Sequence, residues 1–424
     1  MNPDNSIEYH NYGNTFIGSE KKVDENTVFE IGSITKTFTA LLLKKYLSND
    51  ELNNSVSMYL DTINNRALDS VSIYQLLNHT SGFPRLPVNF NTDDWSNPFS
   101  DYSSERLSND LEHVQPMHLG IWSYSNFGYA TLGRIIKSKT HNNTQNLFNE
   151  IFEDAGMKNT SINRHDFNEN IATPYFCGIK VAYWDNIDES GYIGGIKTSS
   201  SSLMSYLAYQ KKHNPLFSSD NRVTNAFKTG IKLFGPDELH YKNGWFVLTP
   251  NDSTEIILHN GGTGGFTSFI AYNKSGKKGV VVLSSGGMEL IDDIGLKIID
   301  PSFILKKPQQ ELAFKIANLF EQQKADSVFE FYQGNKEQKT YKFDVKNLYE
   351  LQHFYFGQKQ YKNSTIICDI FISEYPDDWE AYFLKAQNEE RLGNIDDALG
   401  FYEKAYSLNN ETVNLMKIKE RIEN

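Results

Sequence analysis

Ser33 and Lys36 stand three residues apart in the run Phe29-Glu30-Ile31-Gly32-Ser33-Ile34-Thr35-Lys36-Thr37-Phe38-Thr39-Ala40, a spacing that puts a hydroxyl and an amine on one face of a helix. A serine hydroxyl is a weak nucleophile at neutral pH. A lysine can serve as its base only where desolvation or a nearby positive potential keeps the amine neutral. From Phe38 through Leu43 to Tyr46 and Leu47 the chain holds good helix formers without Gly or Pro, which predicts Ser33 in a helix's first turn, where the N-terminal dipole adds to that potential. The same pattern recurs at Ser19/Lys22 and Ser275/Lys278 in surroundings that read as exposed turns. Ser33 differs in following an apolar residue and a glycine at a strand-to-helix junction, the setting such a nucleophile requires.

Two further segments carry matching chemistry. In Trp122-Ser123-Tyr124-Ser125-Asn126-Phe127-Gly128-Tyr129 the Tyr124 phenol can pass a proton between nucleophile and leaving group, and the Asn126 carboxamide can orient the lysine and bind a substrate amide. Tyr-x-Asn by itself is not distinctive, since it recurs at Tyr9, Tyr12, Tyr241 and Tyr361, and an aromatic loop packed beneath a helix is the plain alternative. In His259-Asn260-Gly261-Gly262-Thr263-Gly264-Gly265 the glycines allow close backbone approach to a ligand. A strand-edge N–H there can join that of Ser33 in receiving an oxyanion. The alternative is a flexible hairpin with a solvated histidine. The three elements together, in this order, favour a site.

Several elements must position them. Val71 to Gly82 has helical spacing stopped by Gly82 and Pro84, residues 85 to 121 read as a long polar excursion that could wall a cleft, and Gly128 to Ile136 resumes a helix. Gly194 to Ser199 leads into a serine-capped helix. Glu255 to His259, Phe266 to Tyr272 and Gly279 to Ser284 are short β-rich runs, so an antiparallel meander is expected. The fold class is α/β, a sheet region with an all-helical insertion.

Pro301 and Pro308 flank a connector, which sets domains at 1–300 and 311–424 joined by 301–310. Within 347–424, Tyr361/Ile395, Ser364/Ala398, Cys368/Tyr402, Phe371/Ala405 and Pro376/Asn410 align at a 34-residue offset. With Gly393, Ala398, Tyr402 and Ala405 in place, this resembles tetratricopeptide helix pairs in a short array. Helices near 311–332 are expected to cap the array or pack on the preceding unit.

The net charge of −12 and the absence of any basic run longer than a pair such as Lys44-Lys45 or Lys277-Lys278 argue against nucleic-acid binding. Small molecules or proteins are the expected partners. Cys177 and Cys368 provide neither a disulfide framework nor metal-ligand spacing. No apolar stretch reaches the roughly 20 residues of a membrane span, and Met1 to Ser6 lacks the parts of a signal peptide, so the chain reads as soluble. Asp292-Asp293 and Asp396-Asp397 read as solvated helix-end carboxylates, and His79 and His10 as structural or exposed. No phosphate loop occurs, and no cofactor is expected.

Ser33/Lys36, Tyr124/Asn126 and His259/Gly261 resemble, in order and spacing, the three motifs of the serine β-lactamase and penicillin-binding protein superfamily. Phe29 to Gly32, Leu76 to Gly82 and Phe127 to Tyr129 are similar to its class C β-lactamase and D-alanyl-D-alanine carboxypeptidase branch, over about residues 7–300. The resemblance implies an antiparallel sheet with helices and an all-α subdomain. It implies an acylated Ser33, Lys36 and Tyr124 as general acid and base, and substrate binding by Asn126, His259 and Gly261. It also implies an oxyanion hole of the Ser33 and Gly262 N–H groups. The substrate would be an amide or ester: a D-amino-acid peptide, a β-lactam or a carboxylic ester.

Two departures bear on substrate. His259 stands where most β-lactamases have lysine, and Asn260 where many members have a threonine that helps hold the substrate carboxylate. If a charged His259 bound that carboxylate, KM should rise above neutral pH. The family usually has a helix and a strand before the segment resembling Ser6 to Gly13. It is mostly exported, so a periplasmic or extracellular protein with its leader absent is the expectation. The competing reading is a non-catalytic binding protein that uses the hydrolase fold and helical repeats for a peptide or protein partner. Complete motifs favour the enzyme.

Overall fold

The computed structural model describes residues 1–87, 90, 92, 94, 96–167, 170–218, 222–232, 238–250, 254–286, 290–305, 309–337, 341–342, 345–410, 413 and 415–423. Parts of the 85–121 excursion and of the 301–310 connector, Pro308 included, lie outside them. The chain divides into two compact units. One comprises Met1–Thr92, Asn97–Phe176 and Lys180–Lys306, and the other Asp93–Ser96, Cys177–Ile179 and Lys307–Asn424.

The strands in chain order are β1 (Val28–Glu30), β2 (Thr160–Ser161), β3 (Tyr175–Phe176), β4 (Ile179–Lys180), β5 (Lys197–Ser199), β6 (Phe227–Lys232), β7 (Glu238–Lys242), β8 (Trp245–Leu248), β9 (Ile256–Gly262), β10 (Thr267–Asn273), β11 (Lys278–Ser284), β12 (Gln310–Glu311) and β13 (Tyr341–Lys342). The helices of the first unit are α1 (Thr35–Tyr46), α2 (Ile73–Leu77), α3 (Ser104–His113), α4 (Asn126–Thr140), α5 (Thr144–Asp154), α6 (Gly191–Gly194), α7 (Ser200–His213) and α8 (Leu290–Ile299). Strands β6 to β11 form an antiparallel meander in the order β11-β10-β9-β8-β7-β6, and β1, β5 and β2 a second sheet in the order β1-β5-β2. The excursion thus contains a regular helix: Ser103 caps α3, and Leu107 and Leu111 anchor it one turn apart.

Successive side chains of a strand point to opposite faces, and the meander uses both faces for burial. Trp245, Val247, Ile257, Ile270 and Tyr272 belong to the large core that includes Phe38 and Leu42 of α1 and Leu203 and Leu207 of α7. The intervening Phe246, Leu248, Ile256, Leu258, Phe269 and Ala271 pack with Leu296 and Ile299 of α8. The nucleophile-bearing α1 is anchored on this core by Phe38, which stacks on Tyr206 at 3.8 Å between centroids, and by Thr37, whose hydroxyl meets that of Tyr206 at 2.8 Å. Asp292, in the first turn of α8, is not merely solvated: its Oδ2 accepts a 2.6 Å hydrogen bond from Asn260 Nδ2, and Asp293 is buried.

The second unit contains α9 (Leu312–Glu321), α10 (Val328–Asn335), α11 (Val345–Gly357), α12 (Tyr361–Glu374), α13 (Trp379–Leu392), α14 (Ile395–Leu408) and α15 (Leu415–Glu423). Helices α13 and α14 begin 34 residues after α11 and α12, Trp379 against Val345 and Ile395 against Tyr361. Gly393 (φ +85°) closes α13 in the left-handed conformation that glycine adopts without strain, and Ala386, Ala398 and Tyr402 form the buried seam between α13 and α14. No helix among the described residues is long and apolar enough to cross a membrane.

Candidate active site

Ser33 lies in a 3-10 turn, Gly32–Ile34, that runs directly into α1, so it precedes the α-helix rather than occupying its first turn. The turn is pinned on both sides, since the Ile31 N–H donates to the Ile196 carbonyl at 3.1 Å and the Ile31 carbonyl accepts from Ser268 Oγ of β10 at 2.8 Å. Gly32 has φ +47°, and a Cβ there would fall 2.6 Å from the Gly262 carbonyl oxygen. Only glycine permits this approach of β9 to the nucleophile turn.

Lys36, one turn further on, is wholly buried, with Nζ 3.0 Å from Ser33 Oγ and 2.9 Å from the Ile193 carbonyl. Burial, reinforced by the Arg85 charge, holds its amine well below the ordinary lysine range. A neutral amine can take the hydroxyl proton, which a protonated one cannot. The second hydrogen bond of Lys36 goes to Ile193 O at the α6 turn, so a backbone carbonyl, and not the Asn126 carboxamide, orients it.

The loop after α2 supplies the floor of the site. The Ser123 N–H donates to His79 O at 2.7 Å, the Ser125 N–H to His79 Nδ1 at 3.1 Å, Ser125 Oγ to Pro84 O at 2.7 Å, and the Asn126 N–H to Arg85 O at 2.9 Å. Ser125 also caps α4 by accepting from the Gly128 N–H at 2.8 Å. The buried His79 ring packs against Tyr124, Tyr129 and Tyr241 at 4.4, 4.9 and 4.7 Å. Burial, reinforced by the Arg85 charge, pushes the pKa of this imidazole well down.

Tyr124 thereby sits with its ring 5.0 Å from Lys36 Nζ. Burial pushes its phenol up to about 12, against a hydrogen bond with the Ser33 side chain and the Arg85 charge. It is therefore a proton donor throughout the neutral range. Asn126 Oδ1 is buried without a hydrogen-bond partner.

His259 lies on β9, which continues through Gly262 rather than ending at the histidine. The side chain is buried, with Nδ1 2.6 Å from the Asn260 carbonyl. Burial lowers its pKa to about 3, so the ring is neutral wherever the protein would work and cannot bind a carboxylate through charge. Nδ1 donating to a carbonyl leaves Nε2 as an acceptor, and that atom has no hydrogen-bond partner.

Gly261 opposes Ser268, and a Cβ on it would fall 2.1 Å from Ile31 O and 2.9 Å from Ser33 N. At the hairpin end the Thr263 N–H donates to Phe266 O at 3.0 Å. Antiparallel pairs alternate between hydrogen-bonded and non-hydrogen-bonded, so the next pair, Gly262 with Thr267, directs the Gly262 N–H away from β10. The structure therefore brings Ser33, Lys36, Tyr124, Gly261 and Gly262 into one locus, with Asn126 following Tyr124 at the start of α4 and His259 preceding Gly261 on β9. His79, Arg85 and the Ile193 carbonyl join them without having been singled out by chemistry. For His79 the available signal was its place in the Leu76 to Gly82 segment. Among the described residues no cluster of His, Cys, Asp and Glu side chains could hold a metal ion.

A family model described as Beta-lactamase matches residues 3–291. The protein flp of Staphylococcus aureus (strain NCTC 8325 / PS 47) is 26% identical over 310 residues, which cover 68% of this chain and 60% of that protein; the chain thus spans about 60% of the length of such relatives. A beta-lactamase of Pseudomonas fluorescens is 26% identical over 316 residues, 66% of this chain and 85% of that one. Among solved structures, a beta-lactamase/D-alanine carboxypeptidase from Pseudomonas syringae superposes with a TM-score of 0.57 at 20% identity, covering 71% of this chain and 91% of that one. A class C beta-lactamase gives 0.57 at 24% identity, covering 70% and 88%. These likenesses show a shared fold.

Proposed function

This chain belongs to the beta-lactamase family, and we propose that it is a serine hydrolase that forms an acyl-enzyme on Ser33. The observation that carries this reading is the wholly buried Lys36 amine 3.0 Å from Ser33 Oγ, its pKa held well below the ordinary lysine range by burial. Lys36 Nζ takes the Oγ proton as Oγ bonds to the substrate carbonyl carbon. The carbonyl oxygen becomes an oxyanion received by the N–H groups of Ser33 and Gly262, an arrangement worth roughly 10²–10³ in rate per donor. Collapse breaks the bond to the leaving amine or alcohol, which takes the Tyr124 proton, and Lys36 returns its proton to Tyr124. Water then attacks the acyl carbon by the same route, its proton passing to the base and from there to Ser33 Oγ.

The Asn126 carboxamide, with Oδ1 unpartnered, suits a substrate N–H, and His259 Nε2 is a second unpartnered acceptor. The substrate class is an amide or ester: a D-amino-acid peptide, a β-lactam or a carboxylic ester. The names of the Pseudomonas relatives fit this range.

Intact-mass analysis after exposure to a fluorophosphonate, and separately to a penicillin, tests the reading. One adduct on the parent chain and none on Ser33→Ala is the expected result, and a folded parent that takes up neither reagent would sink it. Penicillin reactivity points to peptide substrates of the D-amino-acid type, and fluorophosphonate alone to an esterase or amidase.

We further read residues 311–424 as a tetratricopeptide-like domain, joined through 301–310 to a hydrolase domain over 1–300 and able to take a peptide or protein partner. The matched 34-residue offsets of α11/α13 and α12/α14 support it. Limited proteolysis should cut within 301–310 and leave 311–424 intact, whereas early cuts within α11 to α14 would count against it.

A further inference from the structure

Arg85 is an exposed cation whose backbone is built into the site. Its carbonyl accepts from the N–H groups of Asn126 at 2.9 Å and Phe127 at 3.2 Å, in the first turn of α4. Its guanidinium lies 5.2 Å from the centre of the Tyr124 ring, a cation–π contact that leaves the guanidinium N–H groups available. No described carboxylate pairs with it. Among the described residues of the three motifs, the side chains able to take an anion are committed or uncharged. Lys36 is buried on Ser33 and Ile193 O, His259 is neutral because burial lowers its pKa to about 3, and Asn260 Nδ2 is engaged 2.6 Å from Asp292 Oδ2.

We infer that Arg85 is the specificity-determining cation of this site, receiving a carboxylate borne by the substrate through its planar fork of donors. The inference rests on the hydrolase reading and adds to it a substrate charge.

Two ester pairs test it: mono-p-nitrophenyl glutarate against p-nitrophenyl butyrate, which places the carboxylate on the acyl side, and m-carboxyphenyl acetate against phenyl acetate, which places it on the leaving group. The readout is the ratio of kcat/KM for the charged ester to that for the neutral one. In Arg85→Gln this ratio should fall about tenfold for one of the pairs, through KM rather than kcat, with Arg85→Lys intermediate because the bidentate geometry is lost. An unchanged ratio for both pairs overturns the inference while leaving the hydrolase reading intact. If the parent turns over none of these esters, the hydrolase reading still stands or falls on Ser33 labelling, and calorimetric binding of mono-p-nitrophenyl glutarate to Ser33→Ala, with and without Arg85→Gln, decides the inference. Weaker binding in the double variant upholds it, and equal binding overturns it.

Discussion

Lys36 Nζ sits between Ser33 Oγ at 3.0 Å and the Ile193 carbonyl at 2.9 Å, inside a core that leaves the side chain no exposure. The first hydrogen bond is local, from one helical turn. The second spans 157 residues, so folding of the whole unit determines where the amine points and how dry its surroundings are.

That desolvation has a thermodynamic signature. With the folded pKa depressed, the unfolded chain binds one more proton than the folded one at every pH between that depressed value and the ordinary lysine pKa, and stability rises with pH across the window. The slope from this group is about 1.4 kcal/mol per pH unit. Lys36→Met should be more stable than the parent at pH 7, with a gain that shrinks toward pH 10, while kcat falls by about 10²–10⁴. Urea denaturation of both proteins at pH 7, 8, 9 and 10 checks the sign, and a pH-independent difference would mean that Lys36 is charged in the fold.

A neutral His259 predicts a KM that stays flat from pH 6 to 9, since the ring would gain charge only near its depressed value of about 3. Steady-state kinetics on one charged ester across that range is sufficient. A KM that climbs through pH 6.5 would restore a charged histidine.

Two adjacent glycines should respond unequally to one methyl group. Gly261→Ala drives a Cβ to within 2.1 Å of Ile31 O and 2.9 Å of Ser33 N. It should cost about 1–3 kcal/mol as an overpacked contact and displace the nucleophile turn, so that labelling of Ser33 is lost as well. Gly262→Ala meets only Phe266 O at 3.8 Å and should unfold within about 0.5 kcal/mol of the parent. Thermal melts of both variants, read beside fluorophosphonate labelling, separate the cases.

In the second unit, Ala398 is fully buried in the α13–α14 seam, whereas Gly400, two residues on and facing away from it on α14, has open space where a Cβ would be. Ala398→Leu should destabilise that unit by about 1–3 kcal/mol, and Gly400→Ala should stabilise it by about 0.5–1 kcal/mol. Hydrogen exchange of the α13 and α14 amides reports both.

How much of this was legible in the residues depends on range. Ser33/Lys36 spacing, the Ser125 and Ser199 caps and the alternation in β9 to β11 are relations between neighbours, and helix and strand periodicities express them directly. The helix α3 inside 85–121 was obscured by the polar composition around it, since two buried leucines in a ten-residue helix leave little periodic signal. Asp292 read as solvated because its partner, Asn260, is 32 residues away.

By itself, then, the sequence determined which groups could do chemistry and the local turns that carry them: a hydroxyl one helical turn from an amine, a phenol at a helix cap, glycines at a strand end. Only the tertiary structure decided their charge and aim. Proton affinity depends on how much water every packed element excludes, so burial in the assembled core holds the Lys36 amine well below the ordinary lysine range and lowers the His259 pKa, with Phe246 and Tyr241 packed against the histidine ring. Arg85 came to the Tyr124 ring because main-chain hydrogen bonds tie one loop to the start of α4. No spacing along the chain encodes such three-dimensional neighbourhoods, because desolvation and approach are properties of the assembled core.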